Sequence, residues 1–136
     1  MRKLIIPLFL LALSISCDKE LDNLTFSEAV PGGCALFKGT SQNNIALSET
    51  DRATYSIVDG NLQIFVGFNG SCCGQYSTST EIKNDTIFIK ILTTDIGLCN
   101  CLCNYTYSFK FIGDGMNYNF NVTVDGILLL HGKINP

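Results

Sequence analysis

Three cysteines at alternate positions, Cys99, Cys101 and Cys103, are the part of this sequence best suited to chemistry. In an extended strand, alternate side chains share a face and lie about 6.5 to 7 Å apart. That separation is too long for a disulfide between residues i and i+2. Each cysteine therefore needs a partner on another segment, and apart from Cys17, which is considered below with the N-terminus, the chain offers three more: Cys34, Cys72 and Cys73.

Two kinds of chemistry are open to these six thiols. An even number of cysteines in a small exported chain predicts a disulfide framework, in which each bridge contributes on the order of 2–4 kcal/mol. Three bridges allow 15 connectivities, and the sequence leaves them open. The alternative is a soft-metal or redox site, since clustered thiolates select Cu(I) or Zn(II). We expect no metal, because the usual Cys-x-x-Cys pairs are absent.

The other reactive residues do not form a recognisable catalytic set. His131 is the only histidine, and no serine lies in a nucleophile motif. The aspartates, among them Asp59, Asp85 and Asp125, fall mostly in expected turns, where such side chains cap backbone groups. The sequence therefore predicts neither an enzyme nor a cofactor.

The N-terminus has the pattern of a secretory signal over residues 1–16. Arg2 and Lys3 precede an apolar run at 4–15, which is too short to span a bilayer that requires roughly 20 residues. Small residues then lead into Cys17, and this junction resembles a bacterial lipobox, although Ser14 stands where leucine is more usual. The resemblance implies that Cys17 is a lipid anchor carrying fatty acyl chains such as palmitate.

The residues after Cys17 bear on localisation. Asp18-Lys19-Glu20 resembles the short Lys-acid motif that sends many Bacteroidota lipoproteins to the outer face of the outer membrane. Under enterobacterial sorting rules, an acidic residue at this position favours the inner membrane instead. We expect a surface-exposed, lipid-anchored protein of the bacterial outer membrane.

Turn signals at regular spacing predict an all-β domain. Asp59-Gly60, Asn84-Asp85 and Asp125-Gly126 separate alternating apolar rows, and 104–112 is expected to pair with 118–124. Seven to nine strands favour an antiparallel, immunoglobulin-like β-sandwich, with a small closed β-barrel as the alternative. We expect a tether at 17–33, with a short edge strand at 24–27, and one domain at 34–136.

The net charge and one short motif, Asp85-Thr86-Ile87, bear on the partners that the protein is expected to have. Removal of Arg2 and Lys3 leaves seven basic residues against twelve acids, a formal charge of −5 that argues against nucleic acid. Asp85-Thr86-Ile87 resembles an O-glycosylation acceptor motif of Bacteroidota, which makes Thr86 the candidate for a sugar. The expected partners are the membrane, through the lipid, and a glycan or a protein.

The signal and the strand at 99–111 together resemble small Bacteroidota lipoproteins of undefined function. The resemblance implies a non-enzymatic binding or accessory module at the cell surface and transfers no catalytic residue. Tyr55, Tyr76 and Tyr118 are expected in or beside the core, or else as an exposed aromatic patch. A β-barrel carrier of a small apolar ligand and a thiol-based metal or redox protein are the alternative functions.

Overall fold

The described part of the chain folds into eight β-strands. The computed structural model describes residues 24–36 and 52–135, and within those ranges it contains no helix. The strands are β1 (Thr25–Leu36), β2 (Arg52–Val58), β3 (Asn61–Ser71), β4 (Gln75–Lys83), β5 (Thr86–Asp95), β6 (Leu102–Ile112), β7 (Asn119–Val124) and β8 (Ile127–Lys133). The described residues therefore include no helix that could cross a bilayer.

The strands form two four-stranded sheets packed face to face. Sheet I has the order β1-β6-β3-β2, and sheet II has the order β4-β5-β7-β8. The backbone of Asn135, just after β8, donates a hydrogen bond to the hydroxyl of Tyr55 in β2 (3.0 Å), so the two sheets are also tied at one edge. The predicted β-sandwich is confirmed. The closed barrel is wrong, because the strand pairing is confined to two separate sheets.

The strand order differs from that of an immunoglobulin domain. Immunoglobulin sheets follow the orders ABED and CFG, whereas β6 here lies between β1 and β3. Within sheet II, β5 and β7 run parallel, and all other pairs are antiparallel. The immunoglobulin likeness is therefore one of layered architecture.

The core lies between the inward rows of the two sheets. Each contributing strand alternates apolar and polar residues, which is the pattern of a sheet with one buried face. The most deeply buried side chains, all at 0–1% exposure, are Leu62, Ile64, Val66, Phe68, Ile87, Ile89, Ile91, Cys103, Phe109, Phe111, Val122 and Ile134. These rows fill the space between the sheets.

Three two-residue turns set the hairpins β2–β3, β4–β5 and β7–β8. Both residues of each turn have positive φ: 51° and 72° at Asp59 and Gly60, for example, and 50° and 80° at Asp125 and Gly126. Turns with two positive φ values match the twist of the flanking strands, and Asn, Asp and Gly tolerate them. These three predicted hairpins are confirmed.

The predicted pairing of 104–112 with 118–124 is wrong. β6 lies in sheet I between β1 and β3, whereas β7 lies in sheet II beside β5. The chain between them changes sheets, and Asn117 and Gly115 both adopt positive φ in that connection. Glycine-rich sequence favours a turn of either kind, so the local signal does not distinguish a hairpin from a crossover.

Sheet I begins earlier than residue 34. β1 starts at Thr25, so it includes residues 25–27 of the edge strand expected at 24–27 and residues 25–33 of the segment expected as a tether, 17–33. Its pairing with β6 shifts register between Pro31 and Gly33, where Gly33 has a φ of 89°. Pro-Gly-Gly is thus accommodated as an irregularity within an edge strand, a position where proline is tolerated.

Candidate functional site

The six cysteines form three disulfides, each joining one of the two expected groups to the other. Cys34 pairs with Cys103, Cys72 with Cys101 and Cys73 with Cys99. The corresponding Cα–Cα distances are 5.4, 5.5 and 6.0 Å, within the range that a disulfide spans. The expectation that no bridge forms within the alternate-position group is confirmed.

Only part of the alternate-position segment is a regular strand. β6 begins at Leu102, so Cys103 is on the strand, while Cys99 and Cys101 precede it. Beyond Cys103 the predicted row continues as Tyr105, Tyr107, Phe109 and Phe111, with the last two fully buried. The sulfur-to-aromatic row is therefore correct from Cys103 onward.

The partner loop at Cys72 and Cys73 is held against the segment that precedes β6. The backbone N–H of Cys72 donates to the carbonyl of Cys101 (3.2 Å), and that of Gly74 donates to the carbonyl of Ser71 (2.8 Å). Gly97 has a φ of 61°, and a Cβ atom there would overlap Cys73. Two hydrogen bonds therefore hold the loop, and the absence of a side chain at Gly97 allows Cys73 to approach closely.

Two of the bridges meet. The Sγ atoms of Cys34, Cys72 and Cys103 all lie within 4.8 Å of one another, although they belong to two different disulfides. Cys103 is fully buried, Cys72 is half-buried and Cys34 is exposed. We call these three residues the sulfur triad. In a fully reduced chain their thiolates would suit a soft metal; in the disulfide-bonded chain their proximity allows exchange.

Tyrosines pack beside the cysteine loop. The ring of Phe68 lies 5.1 Å from that of Tyr76 and 5.7 Å from that of Tyr105. Burial, with the neighbouring Tyr105 hydroxyl as the next cause, raises the pKa of Tyr76, and burial likewise raises the pKa of Tyr107. These two hydroxyls therefore stay neutral at ordinary pH.

A cavity of about 270 Å³ opens at this end of the sandwich. It is lined in part by Ser71, Tyr76, Thr93 and Asp125. Both carboxylate oxygens of Asp125 accept hydrogen bonds from Thr93, one from its N–H and one from its hydroxyl, each at 2.7 Å. These two bonds lower the pKa of Asp125. The Asp125 carboxylate thus links the β7–β8 turn to β5 through hydrogen bonds.

A second, larger cavity lies on the outer face of sheet I. This groove has a volume of about 480 Å³ and crosses all four strands of the sheet. Its lining includes Val30 from β1, Arg52 and Thr54 from β2, Phe65 from β3, and Thr106 and Ser108 from β6. We call it the outer groove.

The outer groove combines apolar rims with a polar centre. Phe65 is 41% exposed and Val30 is 38% exposed, although both are large apolar side chains. Between them, the hydroxyl of Ser108 accepts a hydrogen bond from the Gln63 side chain (2.5 Å). A Cβ at Gly32 would overlap the Thr106 hydroxyl, so the bare backbone of β1 lets Thr106 lie against it. The result is an aromatic platform beside a row of hydroxyls.

The remaining residues singled out from the sequence are spread over the molecule. Cys17 and residues 18–20 lie outside the described residues. Thr86 begins β5 next to the Asn84-Asp85 turn and is partly exposed, with its hydroxyl 3.4 Å from the Asn84 carbonyl. His131 is exposed on the edge strand β8. Thr86 remains a glycosylation prediction.

Tyr55, Tyr76 and Tyr118 belong to the core or its border. Tyr118 is 8% exposed, and the other two are half-buried against the core cluster. The expectation of core or border positions is confirmed, and an exposed patch of these three rings is excluded.

The turn carboxylates act as backbone acceptors. Asp95 accepts from the N–H of Gly97 (3.0 Å) and Asp114 accepts from that of Met116 (2.9 Å), in addition to the Asp125 bonds described above. The expectation that turn aspartates cap nearby backbone groups is confirmed at Asp95 and Asp114, whereas the backbone N–H that Asp125 accepts belongs to Thr93 in β5.

Sequence reasoning missed the outer groove and the sulfur triad. The groove had a signal: Phe65 occupies the outward row of its strand, between Gln63 and Gly67, where an aromatic ring has no core to enter. The triad had none, because it depends on which cysteines meet in three dimensions.

Comparisons with protein-family models, curated proteins and solved structures give no match. The function is therefore argued from the geometry.

Proposed function

We propose that this protein is a non-enzymatic lipoprotein of the bacterial outer membrane, anchored at the cell surface by acylated Cys17, whose sandwich binds a glycan in the outer groove. The signal pattern ending at Cys17 supports the anchor. The three disulfides support export, because such bridges persist in oxidising compartments.

The outer groove is the observation that carries the binding proposal. Its volume of about 480 Å³ falls within the range of roughly 300–1,000 Å³ that is usual for small-ligand sites. A groove of this size suits a small ligand such as a short saccharide.

The side chains of the outer groove offer the two kinds of contact that a sugar makes, an apolar surface and hydrogen-bonding groups. The exposed Phe65 ring offers a flat apolar surface for the C–H face of a pyranose. Thr54, Thr106 and Ser108 supply hydroxyls that both donate and accept hydrogen bonds. Arg52 supplies a planar group of donors, and among residues 24–36 and 52–135 no carboxylate forms an ion pair with it.

The alternative of an apolar-ligand carrier loses its structural basis. That function requires a closed barrel with an interior cavity, whereas the described residues form two sheets whose facing rows are filled by buried side chains such as Ile64, Ile89 and Phe109. The outer groove is instead open to solvent, and the hydroxyls of Thr54, Thr106 and Ser108 lie among its apolar side chains, a combination that suits a ligand with both polar and apolar faces.

Glycan binding by the purified, acylated protein tests the proposal. Detergent-solubilised protein is applied to an array of bacterial and host glycans, and hits are measured by calorimetry. Phe65→Ala should weaken binding at least tenfold, which corresponds to about 1.4 kcal/mol. Phe88→Ala is the matched control, because Phe88 lies in β5 of the other sheet and is also partly exposed.

Two results would contradict the proposal. Equal weakening by Phe65→Ala and Phe88→Ala would place binding elsewhere. Failure to bind any glycan, together with saturable binding of a purified surface protein that depends on Phe65, would replace the glycan with a protein partner.

A further inference from the structure

The sulfur triad brings together atoms from two disulfides that are separate in the sequence. Cys34 and Cys103 share one bridge, and Cys72 belongs to the bridge with Cys101, yet the three Sγ atoms lie within 4.8 Å of one another. We propose that the triad is a thiol–disulfide exchange site, in which opening of the Cys72–Cys101 bridge allows Cys72 to take Cys103 from Cys34. This inference does not depend on the glycan site.

The first step begins at Cys101. This residue is exposed, whereas its partner Cys72 is half-buried. One thiolate of an external dithiol, either a small molecule or a dithiol protein, therefore reaches Cys101 Sγ more readily. Its attack forms a mixed disulfide with Cys101, breaks the bond to Cys72 and leaves the electron pair on Cys72 as a thiolate.

The second step is directed by burial. The Cys72 thiolate can attack either sulfur of the neighbouring bridge, and the thiolate that leaves is the one not attacked. Attack on Cys103 expels Cys34, which is exposed, so that water solvates the new charge. Attack on Cys34 would leave the charge on Cys103, which is fully buried. The favoured product is a Cys72–Cys103 bridge.

The geometry of the strands is compatible with that product. Cys103 lies opposite Gly70 on the neighbouring strand β3, and Cys72 follows Gly70 by two positions. The new bridge therefore joins the end of β3 to the adjacent strand β6. Cys72 is therefore diagonal to Cys103 across the two strands, and the exchange requires the loop that carries Cys72 to move toward Cys103.

The reaction balances as a two-electron reduction by the dithiol. The second thiol of the reductant attacks the mixed disulfide, leaves as the oxidised cyclic or intramolecular disulfide, and frees Cys101. The two protons of the dithiol end on Cys101 and Cys34. The protein then has two bridges, Cys72–Cys103 and Cys73–Cys99, in place of three.

The structural outcome concerns β1. In the starting state, Cys34 ties this edge strand covalently to β6. After exchange, β1 is held by its backbone ladder alone, while the loop at Cys72 remains tied. Reduction at the exposed Cys101 would thus release β1 from its covalent attachment to β6.

A single-thiol variant isolates the second step. Cys101→Ser leaves Cys72 without its partner, and the triad should then distribute the one free thiol between Cys72 and Cys34. Trapping with N-ethylmaleimide at neutral pH, followed by peptide mapping without reduction, should find label on both residues and a Cys72–Cys103 linked peptide. Label on Cys72 alone would overturn the proposal.

Cys99→Ser is the matched control. It likewise frees one cysteine of the vicinal pair, Cys73, whose sulfur is not part of the triad. Label should appear on Cys73 only, with the Cys34–Cys103 and Cys72–Cys101 bridges intact. Equal scrambling in both variants would show that exchange reflects general loosening and would also overturn the proposal.

The wild-type protein provides a test that needs no variant to fold. Treatment with one equivalent of dithiothreitol, then maleimide, should label Cys34 and Cys101 above the other four cysteines. Label on Cys72 and Cys101, with Cys34–Cys103 intact, would contradict the exchange. So would recovery of the untreated protein with all three triad thiols free around a bound zinc or copper ion.

Discussion

The hydroxyl of Tyr105 donates a hydrogen bond to the backbone carbonyl of Ser71 (2.9 Å), 34 positions earlier in the chain. The same hydroxyl lies 3.2 Å from the carbonyl of Gly74. These contacts bracket Cys72 and Cys73, so one side chain of the β6 aromatic row holds both ends of the cysteine loop. The aromatic core and the disulfide region are therefore joined by a polar contact as well as by sulfur.

Tyr105→Phe should lower the free energy of unfolding by about 1 kcal/mol, and by up to roughly 3 kcal/mol if a carbonyl is left unpaired. The ring and its packing on Phe68 are kept, so the loss reports the hydroxyl. Urea denaturation with the disulfides intact measures it. Tyr107→Phe is the control, because no hydrogen bond of the Tyr107 hydroxyl occurs within residues 24–36 and 52–135. Equal losses would mean that the loop contact contributes nothing.

Gly97→Ala should destabilise the protein more than Gly126→Ala. Both glycines have positive φ, 61° and 80°, so both substitutions incur a similar backbone cost of order 1 kcal/mol. A Cβ at Gly126 meets open space, whereas one at Gly97 overlaps Cys73. The difference in thermal midpoint between the variants measures packing against the vicinal cysteines. A smaller effect at Gly97 would contradict the tight approach of that loop.

Asp125 should make stability depend on pH in the acid range. Its pKa is lowered in the folded protein by the two hydrogen bonds from Thr93, so its contribution is present above the unfolded pKa of about 4 and is lost as pH falls through the folded pKa. The thermal midpoint of wild type should exceed that of Asp125→Asn at neutral pH, and the gap should narrow below about pH 4.

Asparagine at this position keeps the positive φ accessible, so the variant isolates the carboxylate. Asp59→Asn is the control, since Asp59 also precedes a glycine in a two-residue turn. A gap for Asp125→Asn that is constant from pH 7 to pH 2 would remove the proposed linkage.

Cys17→Ser should release the protein from the membrane fraction. The variant cannot form the thioether, so it should appear as a soluble exported chain without the mass of the acyl groups, while wild type fractionates with the outer membrane. Protease applied to intact cells tests surface exposure of the wild type. Membrane association of Cys17→Ser at the wild-type level would contradict the lipid anchor.

The sequence predicted local features of the fold better than long-range ones. Asp59-Gly60 and Asp125-Gly126 specify their hairpins because the positive φ values they allow are a local property of the turn. The inward-facing row of Leu62, Ile64 and Val66 is likewise predictable, because apolar residues at alternate positions share one face of a strand.

The features that failed depend on packing between distant segments. Whether β6 continues into a hairpin or changes sheets is decided by which apolar face covers which, and the turn at Gly113-Asp114-Gly115 is compatible with both. Pro31-Gly32-Gly33 breaks regular strands and so predicts the end of a tether from the sequence, yet in the structure its pairing with β6 continues through a register shift.

The candidate sites likewise include a feature that local geometry predicts and one that depends on distant segments. Disulfide partners could be assigned to groups because backbone geometry forbids a bridge within the Cys99, Cys101 and Cys103 set. The proximity of Cys72 to the Cys34–Cys103 bridge could not be predicted, because it results from the meeting of β3, β6 and β1 at one end of sheet I.

The irregular pairing of β1 has a consequence for how copies of this protein behave beside one another. β1 is an outer strand of sheet I, and a long flat strand in that position offers its free N–H and C=O groups to a neighbouring molecule. Pro31 lacks an N–H, and two register shifts bend the strand away from a straight template. Edge-to-edge association of copies through β1 is thereby disfavoured, even at high local concentration.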